Sequence, residues 1–189
     1  MIQKLKESWQ RKEVRSISRR YFISNGFDGT LTAIGVTIGS YLSGVSSGLT
    51  VFKIGMGAMI GLATSGVWSV WEIERAEKIA ELQEVEDSML QNLEDTELEH
   101  RKKQGRIINA LMSGLGPVIV VSSIVSPFLL TEFITLFQAA VLSVVIGSGL
   151  LFLFGAYMAR ISKQKCYIAG LRMGLAGLVV AALNIILPG

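Results

Sequence analysis

The sequence has very little of the chemistry on which most soluble enzymes depend. Its 189 residues include one histidine and one cysteine, so a disulfide within the chain is excluded. A phosphate-binding G-x-x-x-x-G-K-[ST] motif is absent, as are paired acids within an apolar segment. These absences predict that the chain is not an enzyme and that it holds no tightly bound cofactor.

Charge is missing from long stretches of the chain. Apolar residues make up 50% of it, and five runs have the ~18 or more residues that a membrane helix needs. They cover residues 26–45, 49–71, 107–130, 133–158 and 167–187. Because the runs are continuous rather than alternating, membrane strands are not expected. The sequence predicts an all-α polytopic membrane protein with five transmembrane helices.

Lysine and arginine are absent from the short connections 43–50 and 130–132. They are concentrated in three places: before the first run, between the second and third runs, and between the fourth and fifth runs. This asymmetry predicts a cytoplasmic amino terminus and an outer carboxyl terminus. Residues 1–20 lack the apolar stretch of a signal peptide. Their apolar residues (Leu5, Trp9, Val14 and Ile17) among cations predict an amphipathic helix on anionic lipid, with no nucleic-acid partner.

The connection between the second and third runs differs from the rest of the chain. Its eleven carboxylates and its apolar side predict an acidic helical insert, because it has no glycine or proline before Gly105. Both ends must reach the same membrane face, so the insert is either a hairpin that reverses near 88–96 or a helix along the surface. The predicted organisation is a basic segment 1–20, helices 1–2 within 21–71, the insert 72–106 and helices 3–5 within 107–189.

The insert carries two rows of side chains that could bind a divalent metal. Their members recur at three- and four-residue steps, which place each row on one helix face, and a Glu-x-x-His element suits Mn²⁺ or Fe²⁺. The alternative is a solvated face on which Arg75 and Lys78 pair with the acids, and a lone histidine is often only a surface residue. The rows are Glu74, Glu77, Glu81 and Glu84, then Glu94, Glu97 and His100.

One carboxylate, Asp28, lies within the first apolar run. A charge at that depth costs at least ~2.5–3.5 kcal/mol, which makes an ion or proton pathway its expected setting. Asn25 and Thr32 are one turn away on either side and offer neutral oxygens. The alternatives are a pair with Lys53 or Arg172, or a cap of the first helix.

Other features of the apolar runs allow more than one interpretation. Met56 and Met59 are either soft ligands in the pathway or packing residues. Pro117 and Pro127 are expected to kink or end the third helix. Small residues four apart predict close helix contacts, at Gly35 and Gly39, Gly57 and Gly61, and Gly170 and Gly174.

Four stretches of the chain resemble the vacuolar iron transporter family, whose members move Fe²⁺ and Mn²⁺ out of the cytoplasm. They are NGFDGTL at 25–31, GLGP through SP at 114–127, LSVV through LFLFG at 142–155, and AGLR at 169–172. Their order, together with five runs and an acidic insert after the second, covers most of the chain beyond residue 20.

The resemblance implies a homodimer that exchanges metal for protons along a pathway between helices 1 and 2 at the subunit interface. Asp28 falls on the family's transport aspartate. The family also uses a methionine and a glutamate in the second helix. Here Ser65 lies near the methionine position, no glutamate precedes Trp71 in that run, and the insert is shorter than in plant members.

A second function remains open at this point, namely a non-transporting membrane protein whose acidic insert senses metal or docks a partner. The host membrane is expected to be the plasma membrane if the protein is prokaryotic, and a vacuolar or other organelle membrane if it is eukaryotic.

Overall fold

A computed structural model describes residues 11–89 and 97–187 of the chain, without the side chains of residues 82, 86, 88, 89 and 97–102. Within these ranges the fold is all-helical, with no strands, as the sequence predicts. The helices are α1 (Lys12–Leu42), α2 (Gly48–Met89), α3 (Glu97–Val125), a 3-10 turn (Ser126–Leu130), α4 (Leu136–Ser162) and α5 (Cys166–Ile186).

Local capping explains where α4 begins and ends. Thr135 and Gln138 cap its first turn reciprocally, and Lys163 ends it with a left-handed backbone (φ 57°).

Four of the helical segments are long and apolar enough to cross a membrane: Gly48–Val85, Lys103–Leu130, Leu136–Ser162 and Cys166–Ile186. Large apolar side chains also cover much of the outer surface. Phe133 is 85% exposed and Trp68 is 71% exposed, which suits contact with lipid rather than water. The chain is therefore a multi-pass membrane protein. The predicted fifth crossing, by α1, remains a prediction.

The described part of the predicted basic segment, from Lys12 to Arg20, belongs to the same helix as the first apolar run. One face of this part packs on α3, and the predicted interfacial position of the segment remains a prediction. The Ser18 hydroxyl donates a buried hydrogen bond of 2.6 Å to the amide oxygen of Asn109, and Val14 lies beside Gly105. α1 begins and α4 finishes at the same end of the bundle, and we call this the basic end.

The acidic insert continues the helices on either side of it. α2 extends without interruption past the end of the predicted apolar run at residue 71 to Met89, and α3 begins at Glu97. Two helical arms are thus present. The predicted reversal falls largely on residues 90–96, which lie outside the described residues, so the hairpin remains a prediction.

α3 is the central helix, since both α1 and α2 pack along it, while α4 and α5 form a second close pair. Its buried residues Val121, Ile124 and Val125 form a core cluster with Ala33 of α1. Buried hydroxyls donate to helix carbonyls, as for Ser143 to Ile124 at 2.6 Å, because hydrocarbon offers no alternative partner. Pro117 lies inside α3 without ending it, and the helix stops at Val125 before the turn that contains Pro127.

The stretches of sequence singled out above meet in pairs. Gly26 and Gly29 of α1 pack on Gly116 and Pro117 of α3, where a Cβ on Gly116 would lie 2.5 Å from the carbonyl oxygen of Phe22. A Cβ on Gly155 of α4 would likewise lie 2.5 Å from the carbonyl oxygen of Ala169 on α5. Side chains at these two positions would collide with backbone, so glycine permits both helix crossings.

Candidate transport site

Asp28 lies in the middle of α1 and points away from the core. It is exposed, whereas its neighbours Gly26, Gly29 and Thr30 are buried against the rest of the bundle. The carboxylate is about 21 Å along α1 from the end of the helix at Leu42, well within the thickness of a bilayer. α1 thus carries a carboxylate on its outer face.

Among the described residues, no basic side chain pairs with this carboxylate. In the described ranges, the Asp28 side chain takes part in no ion pair or hydrogen bond, and the ion pairs that are present lie on the acidic insert. Lys53 and Arg172, the two expected alternative partners, are both exposed elsewhere. A helix-capping role is also excluded, because α1 begins at Lys12, more than four turns earlier.

The two polar neighbours predicted on the same helix differ in their surroundings. Thr32 is exposed, one turn beyond Asp28 on the same face. Asn25 instead turns inward, where its side-chain amide donates a hydrogen bond to the Ser113 hydroxyl of α3. The Asn25 amide also lies close to Gly66 of α2. Asn25 therefore joins α1, α2 and α3, and Thr32 and Ser24 are the polar side chains that share the exposed face with Asp28.

Met56 and Met59 of α2 are half-buried and pack against the core cluster of α1 and α3. The sulfur of Met59 accepts a hydrogen bond of 3.2 Å from the Ser122 hydroxyl. This environment favours the packing interpretation of both methionines. Ser65, near the position where the family has a methionine, is exposed on α2.

The outer face of α2 is open along its middle turns. A Cβ added to Gly57 or Gly61 would meet no atom within 4 Å, and the same is true of Gly39 on α1. Lys53, Thr64 and Trp68 are exposed along the same helix. By contrast, Gly170 and Gly174 pack against Phe152 of α4. Gly35 of α1 lies near Asn184 of α5, so among the three predicted small-residue pairs only Gly170 and Gly174 have both members packed on another helix of the described chain.

The glutamates of the first acidic arm do not all face solvent. Glu77, Glu81 and Glu84 are exposed, but Glu74 is 1% exposed and its Oε2 atom has no hydrogen-bond partner. Lys78 pairs with Glu81 at 3.1 Å, and Arg75 with Glu72 at 3.8 Å. These two pairs fit the interpretation of a charge-paired surface.

The second acidic row is only partly visible. Glu94 lies outside the described residues, and Glu97 and His100 are described only as part of the backbone of α3. Among the described residues, no three or more acids, histidines or cysteines are grouped so that they could hold a metal ion. A metal site formed by the two rows therefore remains a prediction.

A polar cluster that sequence reasoning missed lies at the basic end of α1 and α2. Burial, followed by the negative charge of Glu74, raises the pKa of the Tyr21 hydroxyl above its usual 10.0, while the adjacent Arg20 lowers it. Arg106 of α3 stacks over the Trp71 ring at 4.1 Å from its centroid. The three-residue step from Glu74 to Glu77 is visible in the sequence. The interaction of Glu74 with Tyr21 on another helix is not.

One short motif has an enzyme-like spacing without the structure that an enzyme needs. Residues 44–48 read GVSSG, a match to the G-x-S-x-G nucleophile elbow. That motif acts at a sharp turn from a strand to a helix, whereas here it connects α1 to α2 in a part of the chain without strands. It supports no hydrolase.

Comparisons with known proteins agree with the architecture. A family model described as the VIT family matches residues 70–187, more than half of the chain. The match covers the acidic insert and α3 to α5 but not the stretch around Asp28. An uncharacterized protein of Methanocaldococcus jannaschii is 28% identical over 167 residues, which cover 87% of this chain and 85% of that protein. No solved structure matches the chain.

Proposed function

The chain belongs to the VIT family, which indicates a membrane metal transporter rather than an enzyme, and from this premise we propose that it exports Fe²⁺ or Mn²⁺ from the cytoplasm in exchange for protons. Asp28 would be the residue that binds both the metal and the proton. The observation that carries the proposal is the exposed carboxylate of Asp28 on the outer face of α1, which has no ion pair or hydrogen bond in the described part of the chain.

An isolated chain in a bilayer would expose Asp28 to hydrocarbon, at a cost of at least ~2.5–3.5 kcal/mol. A second copy of the chain would remove that cost by covering the face and enclosing water around it. The glycines of α2 support such an arrangement, since Gly57 and Gly61 are open to a close helix contact. The proposal is therefore a homodimer with its pathway between the α1 and α2 faces of the two subunits.

The coupling to protons follows from the chemistry of a carboxylate in a restricted aqueous pathway. The ionised form of Asp28 replaces part of the metal's hydration shell, with hydroxyl oxygens such as that of Thr32 beside it. Protonation from the outer side neutralises the carboxylate and releases the metal. Return of the proton to the cytoplasm restores the binding form, so each export step carries protons inward.

The acidic arms would supply the pathway with metal. Glu77, Glu81 and Glu84 place exposed carboxylates on the helical extension of α2, where they raise the local concentration of divalent cations. Oxygen donors with at most one imidazole favour Mn²⁺ and Fe²⁺ over Zn²⁺ and Cu²⁺.

Reconstituted transport tests this proposal directly. Purified chain in liposomes should accumulate Mn²⁺, and an internal pH dye should report proton movement in the opposite direction. Asp28→Asn should reduce uptake to that of protein-free liposomes, while Asp28→Glu should retain part of it. Ser24→Ala is the matched control, because Ser24 is exposed on the same face one turn earlier. Unchanged uptake in Asp28→Asn would refute the proposed role of Asp28.

The same preparations distinguish a transporter from a non-transporting sensor or docking protein. Substitution of Glu77, Glu81 and Glu84 by glutamine should lower uptake at limiting metal but not at saturating metal. A sensor would show no uptake in any variant, together with metal binding that depends on these glutamates alone.

A further inference from the structure

A cavity of about 410 Å³ opens between α1 and α4 at the basic end of the bundle, with one side formed by α3. This volume is within the ~300–1,000 Å³ typical of small-molecule sites. It is separate from the Asp28 face, and neither the acidic arms nor Asp28 contribute to it. Its lining residues are Arg15, Arg19, Phe22, Ile23, Met112, Leu153, Phe154 and Tyr157.

The lining changes from charged to apolar with depth. Along α1 the two arginines come first, and Phe22 and Ile23 follow one turn deeper in the bundle. α4 runs in the opposite direction, so Tyr157 lies near the basic end while Leu153 and Phe154 lie deeper. Both walls thus present cationic or amphipathic side chains near the surface and hydrocarbon side chains deeper in the bundle. A membrane lipid has the same order, with its polar headgroup at the surface and its acyl chains below.

The arginines are available to an anionic ligand. Arg15 is exposed and Arg19 is half-buried, and in the described part of the chain the structure gives neither guanidinium an acidic partner. The cavity lining contains no acid. Two guanidinium groups one helical turn apart can bind phosphate oxygens through paired N–H donors.

The cavity is also open on the side that faces lipid. Leu153 is 61% exposed and Tyr157 is 48% exposed, whereas Ile23 at the back is 7% exposed. An acyl chain can therefore enter sideways from the bilayer and lie along Ile23, Phe154 and Met112. A soluble phosphate would use only the rim of this cavity.

We propose that this cavity is a binding site for one anionic phospholipid, with its phosphate on Arg15 and Arg19 and one acyl chain against the apolar wall. Basic pockets between membrane helices are recognised by anionic headgroups. The bound lipid would join α1, the helix that carries Asp28, to α4. The site does not depend on the proposed transport function.

Lipid titration followed by native mass spectrometry of the full-length protein tests the site. The probes are phosphatidylglycerol and phosphatidylcholine with identical acyl chains. We expect tight binding of one phosphatidylglycerol per chain, and the double substitution Arg15→Gln and Arg19→Gln should weaken it about tenfold or more. The matched control is Lys163→Gln with Lys165→Gln, which removes the same charge from exposed residues outside the cavity.

A second variant tests the apolar part without changing the charge. Leu153→Trp should fill the mouth of the cavity and weaken phosphatidylglycerol binding while circular dichroism remains unchanged. This variant also keeps the proposal testable if the arginine variant does not fold.

Several results would overturn the proposal. Equal losses in the two double variants would indicate only general attraction to basic charge, and equal binding of phosphatidylcholine would indicate a nonselective apolar groove. Displacement of the lipid by millimolar inorganic phosphate, or no effect of Leu153→Trp, would exclude the acyl-chain contact. Photo-cross-linking from position 153 to residues 1–10 instead of lipid would assign the cavity to the chain's own amino-terminal segment.

Discussion

Two groups of glycines in this bundle have opposite surroundings. Gly116 and Gly155 lie where helices cross, and an added Cβ would collide with backbone atoms of the neighbouring helix. Gly57 and Gly61 are also on a helix long and apolar enough to cross a membrane, yet nothing lies within 4 Å of an added Cβ. The first group makes the fold of one chain possible. The second leaves the outer surface of α2 open, where the proposed homodimer would form its contact.

The comparison shows that a small-residue pattern has no single meaning in a membrane helix. In lipid, apolar surface alone gives little drive for helices to associate, so close van der Waals contact and polar contacts decide which faces pack. Whether a glycine contacts its own chain or a partner is therefore a property of the assembled bundle. Two experiments on glycines test this distinction, and two on polar groups between helices follow, all in order of decreasing expected effect.

The largest effect is expected from a side chain introduced at a crossing. Gly116→Leu should prevent recovery of folded protein, because the new Cβ meets the Phe22 carbonyl at 2.5 Å and the Gly26 nitrogen at 2.9 Å, and backbone cannot move aside cheaply. Fluorescence-detected size-exclusion chromatography and thermal unfolding would measure the loss. The control is Gly149→Leu on α4, where an added Cβ meets nothing. Equal behaviour of the two variants would contradict the proposed crossing.

The next effect concerns the open face of α2. Gly57→Leu together with Gly61→Leu should separate the proposed homodimer while leaving the helical content of each chain unchanged, since bulk at these positions blocks only an approaching helix. Light scattering in detergent and subunit counting in liposomes would report the change. The Gly149→Leu variant should remain dimeric. A dimer that survives the double substitution would place the interface elsewhere.

A smaller loss is expected from the buried polar contact between α1 and α3. Asn109→Ala leaves the buried Ser18 hydroxyl without its partner and should lower the free energy of unfolding by about 1–3 kcal/mol. The double variant Asn109→Ala with Ser18→Ala should lose less free energy of unfolding than the two single variants together. The reason is that the unsatisfied hydroxyl of Ser18 is then removed. Thr64→Ala, on the open face of α2, should have no comparable effect in the same denaturation assay.

The smallest effect concerns Tyr21, where α1 and α2 meet at the basic end. Its raised folded-state pKa means that the unfolded chain loses the phenolic proton first as the pH rises. The contribution of Tyr21 to stability is therefore present below pH 10 and is lost above it, up to the folded-state pKa. The difference in ultraviolet titration between wild type and Tyr21→Phe should show Tyr21 ionising with a pKa above 10.0. Glu74→Gln should lower that pKa, because the negative charge that raises it is removed. No change in Glu74→Gln would remove Glu74 as a cause.

The residues around Asp28 show how far sequence reasoning reached. The cost of a charge in an apolar run identified Asp28 as exceptional, and in the part of the chain that the structure describes its side chain is exposed and has no ion-pair partner. The same reasoning placed Asn25 and Thr32 together on its face, but Asn25 turned to Ser113 on another helix. A partner 88 residues away in sequence leaves no local pattern, so the orientation of Asn25 could not be anticipated.

The amino-acid sequence is enough to predict an all-helical multi-pass membrane protein that resembles the VIT family, with an exceptional carboxylate in its first apolar run. Helix type and membrane preference follow from local composition, because each residue contributes its own backbone propensity and transfer free energy. The packed bundle is needed to show that the Met59 sulfur accepts a hydrogen bond from Ser122, that Glu74 is buried and that Gly57 faces outward. Those outcomes depend on which helix faces meet, and that is settled by packing between residues far apart in the chain.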